Sequence, residues 1–104
     1  MDDILTGMLV VARLRPPEDE VQFRADVRAA LDALAVRPGH VRSRLARGYE
    51  DPGAWVLVSE WADVGSYRRA LSSYDVRMAT GALVGAAVDE PSAYEIVDEA
   101  AAQQ

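Results

Sequence analysis

The sequence contains no cysteine, no lysine and no asparagine, and its single histidine is His40. Without cysteine there is no disulfide, no thiolate metal ligand and no cysteine nucleophile. Without lysine there is neither a Schiff base nor the lysine of a phosphate-binding P-loop. One histidine cannot by itself assemble a zinc or iron site, which needs several imidazole or carboxylate ligands converging on one point. Gly81 and Gly85 do not form the G-x-G-x-x-G turn that follows a strand in dinucleotide-binding folds. The sequence therefore predicts a protein without haem, flavin or metal. Hydrophobic residues make up 50% of the chain, yet no apolar run approaches the ~20 residues of a membrane-spanning helix. The opening Met1-Asp2-Asp3-Ile4 is acidic where a secretory leader is basic, and no cleavage site follows. Both features point to a soluble, cytoplasmic protein with no membrane partner.

The formal charge of −6 disfavours nucleic acid as a partner, because phosphate binding depends on a basic footprint that releases counterions. All 11 basic residues are arginine. Seven of them lie between Arg13 and Arg44, but acidic residues interleave with them from Glu18 to Asp32, the pattern of a solvated helix face. At 104 residues the chain is short for a single domain. Folding at that size buries only about two thirds of the exposable surface, so a second copy would help complete the core. No repeat or linker interrupts the chain, which reads as one domain over residues 1–104. Its core spans about 8–98, and the tail Glu99 to Gln104 is expected to fray.

Met8 to Arg15 reads as a strand with Met8, Val10, Ala12 and Leu14 on one face and Leu9 and Val11 on the other. Pro16-Pro17 ahead of Glu18-Asp19-Glu20 marks a helix start, proline being tolerated in the first turn and carboxylates favouring the positive end of the dipole. Phe23, Val27, Leu31 and Leu34 supply the apolar stripe, and Arg37-Pro38-Gly39 stops the helix. Val41 to Glu50 and Trp55 to Trp61 form a hairpin around a Pro-Gly turn. Asp63 is placed to cap a short helix presenting Tyr67, Ala70 and Leu71 inward, and Ser72 with Asp75 begins a second one, so the helical stretch kinks or breaks near Ser72-Ser73. Its stripe is Val76, Ala79, Thr80, Leu83, Val84 and Ala87, with Gly81 and Gly85 allowing close approach to the sheet. Ser92 to Asp98 is the last strand, Tyr94 and Ile96 on one face and Val97 on the other. This order predicts an α+β, ferredoxin-like split β-α-β fold with an antiparallel sheet and its helices on one face. Leu9, Val11, Val56, Val58 and Val97 would then form an apolar patch on the helix-free face, which predicts a homodimer with sheet packed on sheet.

The segment Trp55-Val56-Leu57-Val58-Ser59-Glu60-Trp61-Ala62-Asp63, followed by Tyr67-Arg68-Arg69-Ala70-Leu71, resembles the antibiotic biosynthesis monooxygenase family of the dimeric α/β-barrel superfamily. Leu9-Val10-Val11-Ala12-Arg13-Leu14 and Pro38-Gly39-His40-Val41 fit the same family, and the likeness runs from about Met8 to Val97. It implies a dimeric α/β barrel and a cofactor-independent monooxygenase acting on a small, electron-rich phenolic or polyketide-like compound. Members that oxidise polyketide-derived phenols use a tryptophan, a tyrosine six residues later, an asparagine four residues before the tryptophan and an arginine on the following helix. Trp61 and Tyr67 keep that spacing, Leu57 stands at the asparagine position, and Arg77 matches the arginine after a one-turn shift. Trp61, Tyr67 and Arg77 are thus the candidate catalytic residues, with Tyr49, Leu57, Tyr74, Met78 and Tyr94 as candidate substrate-binding residues. Each also has an ordinary structural role open to it: a strand-end aromatic, a core helix residue, a turn. Haem-degrading relatives share an asparagine, a tryptophan and a histidine on the second helical segment. Here there is no asparagine, Leu71 stands ten residues after Trp61, and His40 reads as a residue at the start of a strand. Other readings of the same fold are a ligand-binding or dimerisation domain without catalysis, and an enzyme that isomerises or degrades a small signal molecule.

Overall fold

A computed structural model describes residues 7–103; the acidic start, Met1 to Ile4, and Gln104 at the tip of the tail lie outside the described residues. β1 (Met8–Leu14), β2 (His40–Arg47), β3 (Trp55–Trp61) and β4 (Ala93–Glu95) form a four-stranded sheet in the order β2-β3-β1-β4, with every neighbouring pair antiparallel. α1 (Glu20–Ala35) links β1 to β2, and α2 (Val64–Ser72) with α3 (Tyr74–Val84) links β3 to β4. Each crossover passes over one intervening strand, which is the expected ferredoxin-like α+β arrangement. No helix of the described residues is long and apolar enough to cross a membrane.

The helices cover one face of the sheet, and the core there forms two clusters, one around each end of β3. Trp61 gathers Met8, Val10, Leu34, Ala70 and Val76. Trp55 gathers Leu14, Phe23, Val27, Ala30 and Leu83. The two tryptophans share a face because their spacing along the strand is even. α1 begins at Asp19, whose carboxylate accepts the Gln22 N–H at 3.1 Å. Pro16 and Pro17 therefore precede the helix instead of occupying its first turn, since the carboxylate cap satisfies the free N–H groups further along. Ala30, fully buried, takes a core position beside the expected Phe23, Val27 and Leu34, and Leu31 sits at the margin.

The β2–β3 hairpin has the expected partners, but β2 runs from His40 to Arg47, not from Val41 to Glu50. Gly48 N–H donates to the Ala54 carbonyl at 2.7 Å, so the turn already begins there. A register shift between His40 and Arg42 leaves Val41 as an extra, exposed residue. Asp63 caps α2 as expected, accepting the Ser66 N–H at 2.7 Å. The helical break falls at Ser73, within the expected Ser72-Ser73, but the cap is Ser73 and not Ser72: the Ser73 hydroxyl oxygen accepts the Val76 N–H at 3.4 Å, while Ser72 donates to the Arg68 carbonyl at 3.1 Å. Leu71 is exposed, because Tyr67 and Ala70 share the inward face and the next residue lies a quarter-turn further round. On α3, Val76 and Leu83 are buried but Val84 is exposed, and nothing lies within 4 Å of a Cβ placed on Gly81 or Gly85. Those glycines face outward and do not serve close approach to the sheet. Ala87 lies past the helix, where it bridges to Leu14.

β4 stops at Glu95, short of the expected Asp98, and pairs Tyr94 with Leu9. Tyr94 thus lies on the helix-free face, and Val97 lies beyond the strand. That face presents Leu9, Val11, Val56, Val58 and Tyr94, bordered by Arg42, Arg44 and Glu60. Arg42 Nε donates to Glu60 Oε1 at 2.6 Å, and Arg44 stands 3.5 Å from the same oxygen.

Candidate functional site

Trp61 ends β3, and the Asp63 cap turns the chain at once into α2, so Tyr67 returns over the strand end. The two rings meet at 5.9 Å between centroids, tilted by 53°. Trp61 is only 1% exposed, and its indole N–H donates to the buried Ser59 hydroxyl at 3.0 Å. On the other side of Trp61 the hairpin register sets His40, edge-on at 5.1 Å and 82°. His40 Nε2 and Ser43 Oγ are 2.7 Å apart. Burial holds the imidazole below its ordinary range, favouring the neutral ring. Burial likewise raises the Tyr67 phenol above its ordinary value, so at neutral pH its hydroxyl stays protonated and able to donate. That hydroxyl forms no hydrogen bond to another described residue.

The approach of β2 to α2 depends on Gly39. Its φ of 87° is a left-handed conformation, and a Cβ there would overlap the Ser66 side chain. Gly39 also accepts the Ala62 N–H at 2.8 Å, tying the start of β2 to the residue after Trp61. Asp63 is held below the usual carboxylate range, first by the Ser66 backbone N–H and then by the Ser66 side chain.

The expected site residues divide into those this cluster contains and those it does not. Trp61 and Tyr67 are in contact. Leu57 points to the same helix-covered side and packs against the Trp55 cluster. Arg77 is exposed on α3 and forms no ion pair among the described residues. Tyr74 and Met78 are exposed on α3. Tyr49 is 100% exposed in the hairpin turn, at the opposite end of β3 from Trp61 and so roughly 20 Å away along a strand of this length. Tyr94 is on the other face of the sheet, its hydroxyl donating to the Pro91 carbonyl at 3.3 Å. His40 and Ser59, absent from the sequence-derived site, are part of the cluster. Only strand register brings His40 opposite Trp61, whereas Ser59, two residues before Trp61, is readable from strand alternation. Among the described residues no three His, Asp or Glu side chains come together as a possible metal site.

Residues 8–80 match the family model described as antibiotic biosynthesis monooxygenase. The chain belongs to the antibiotic biosynthesis monooxygenase family. Among curated proteins none matches the chain in sequence. Among solved structures, this family member is similar to SnoaB, a cofactor-independent oxygenase from Streptomyces nogalater, with 21% identity and a TM-score of 0.79 over 90% of this chain and 96% of that one. Rv0793 from Mycobacterium tuberculosis is 15% identical with a TM-score of 0.72, over 94% and 100% of the two chains. A conserved protein from Methanosarcina mazei Go1 is 19% identical with a TM-score of 0.72, over 86% and 90%. At these identities the likeness is one of fold.

Proposed function

We propose that this family member is a cofactor-independent monooxygenase that oxidises a small, electron-rich aromatic compound with dioxygen, working as a homodimer. The family match over residues 8–80 carries the reading. The Tyr67 hydroxyl, which lies beside the Trp61 ring and forms no hydrogen bond to another described residue, supports it.

Ground-state dioxygen is a triplet and does not add directly to closed-shell organic molecules, so a substrate oxidised without a cofactor must act as its own reductant. An anthrone-like compound can do so. Loss of a proton from its CH₂ carbon gives an anion, which transfers one electron to dioxygen; the resulting radical and superoxide join in a carbon–oxygen bond. The peroxide is protonated and loses water, leaving a carbonyl. One dioxygen and one CH₂ group thus become one carbonyl and one water, with both electron pairs supplied by the substrate. The protein's part is positional and electrostatic. Tyr67 donates to a substrate oxygen, Trp61 shapes the wall, and Arg77 on α3 offsets the developing anion.

Oxygen consumption with a panel of anthrone-like substrates tests this. The wild-type protein should exceed the spontaneous rate. Tyr67→Phe, which removes only the donor, should slow the reaction by about a hundredfold while leaving the circular dichroism and oligomeric state unchanged. No rate above background, or an equally fast variant, would replace this reading with that of a ligand-binding domain.

A further inference from the structure

At the opposite end of β3 from Trp61, α1 lies across β2 and the start of β3, leaving between them an open groove of about 420 Å³. Its floor is apolar, made by the buried Val27 and Trp55 with Leu31 and Leu45 beside them. Phe23 meets the Trp55 ring edge-on at 5.2 Å and 67°, which fixes that ring as a rigid platform. The walls are guanidinium groups: Arg24 and Arg28, one turn apart on α1, and Arg47 at the end of β2. The Arg47 guanidinium stands over the Trp55 ring, 5.2 Å from its centroid.

Among the described residues no carboxylate lines this groove, although the chain as a whole carries a formal charge of −6. The counter-charges lie at its margin. Glu20 is 3.7 Å from both Arg24 and Arg47, a shared and distant pairing, while Asp32 holds Arg28 at 2.8 Å. Arginines that merely shield an apolar surface lay their stems across it and leave no space. Here Arg47 covers the Trp55 ring, yet space stays open between the three positive groups, over the aliphatic part of the floor. Guanidinium groups match a carboxylate in planar, two-point geometry, and the volume falls within the range of small-ligand sites.

We infer that this groove binds an aromatic carboxylate, its fused rings lying on Leu31 and Leu45 beside the stacked Arg47 and Trp55 and its carboxylate held by Arg47 together with the α1 arginines. The ligand carboxylate takes over the role that Glu20 fills weakly between Arg24 and Arg47. The groove lies on the helix-covered side of the sheet, so a dimer formed through the other face leaves it open. The inference stands apart from the oxygenase reading, and its test measures binding alone.

Isothermal titration with 2-naphthoate, and with the neutral 2-naphthamide of the same shape, decides it. The naphthoate should bind at one site per chain and at least about tenfold more tightly than the amide, the scale of a hydrogen bond between charged groups. Arg47→Gln should weaken naphthoate by about fivefold or more and leave the amide unchanged. Arg68→Gln, at another exposed arginine, on α2, should leave both unchanged. These arginines are exposed, and circular dichroism verifies that each variant is folded. Equal affinity for the two probes, no binding of naphthoate at millimolar concentration, or an equal loss in Arg47→Gln and Arg68→Gln would overturn the assignment.

Discussion

The Trp61 indole N–H donates to Ser59, so the part proposed for its side chain is steric; the Tyr67 hydroxyl, which forms no hydrogen bond to another described residue, is the proposed donor. The third member, His40, is the chain's only imidazole, and its titration can be followed without ambiguity by NMR. Burial lowers its folded-state value below the ordinary one of about 6.5. The unfolded chain therefore binds a proton more readily than the folded one in the interval between those two values. Stability is fully present above about pH 6.5 and is lost as pH falls through the folded value. The urea midpoint should decline across that interval in the wild-type protein, and His40→Gln should flatten the decline. A histidine midpoint at about 6.5 would remove the linkage, and one above it would reverse the sign. Trp61 and Tyr67 were legible in the sequence because one short turn joins strand to helix and local geometry alone brings them together. His40 was not, because its place depends on pairing across the hairpin and on the irregularity at Val41, neither of which leaves a local trace.

Two glycines illustrate how an element's surroundings decide the effect of the same substitution. Gly39 has a φ of 87° and would place a Cβ against the Ser66 side chain, so Gly39→Ala must strain the backbone and push β2 away from α2. The conformation alone costs about 1–3 kcal/mol, and the overlap adds to it. Gly81 sits mid-helix on the open side of α3, with nothing within 4 Å of the added carbon. Gly81→Ala should stabilise by about 0.5–1 kcal/mol, the ordinary helix preference for alanine over glycine. Urea denaturation of the two variants checks the opposite signs; two shifts in the same direction would show that one of these environments is misread. At this scale the sequence was most readable where residue chemistry fixes a boundary: the tryptophans bracketing β3, the Asp63 cap, the stripe of α1. It was least readable in α3, where alanine, glycine and valine surround the axis and the apolar pattern marks no single inward face. For that reason the apolar pattern places Gly81, Gly85 and Val84 on the wrong side, and it extends β4 too far because exposed edge residues carry the same composition as the tail that follows them.

For the whole molecule, the unfinished surface is the helix-free face of the sheet. Val11 and Val58 are directly paired across β1 and β3, Leu9 lies opposite Tyr94, and Val56 completes the patch; all lie on the face that no helix covers. Bordering charges do not oppose association, because Glu60 already stands between Arg42 and Arg44. A second copy packed sheet to sheet would bury these side chains through the hydrophobic effect, with the isologous contact of a two-fold dimer. Light scattering in dilute solution should therefore give twice the chain mass of 11.3 kDa. Because the contact is apolar, the dimer should persist at about 1 M salt, where the Debye length falls to about 3 Å and surface ion pairs are screened. Val58→Arg, placing an unpaired charge at the centre of the contact, should shift the protein toward monomer with a penalty of several kcal/mol. The monomer's own core should be spared, since Val58 points away from it, and circular dichroism of the variant separates loss of assembly from loss of fold. A stable 11.3 kDa species in the wild-type protein, or a dimer that dissociates in salt and ignores Val58→Arg, would move the interface to another surface and leave the apolar face without an occupant.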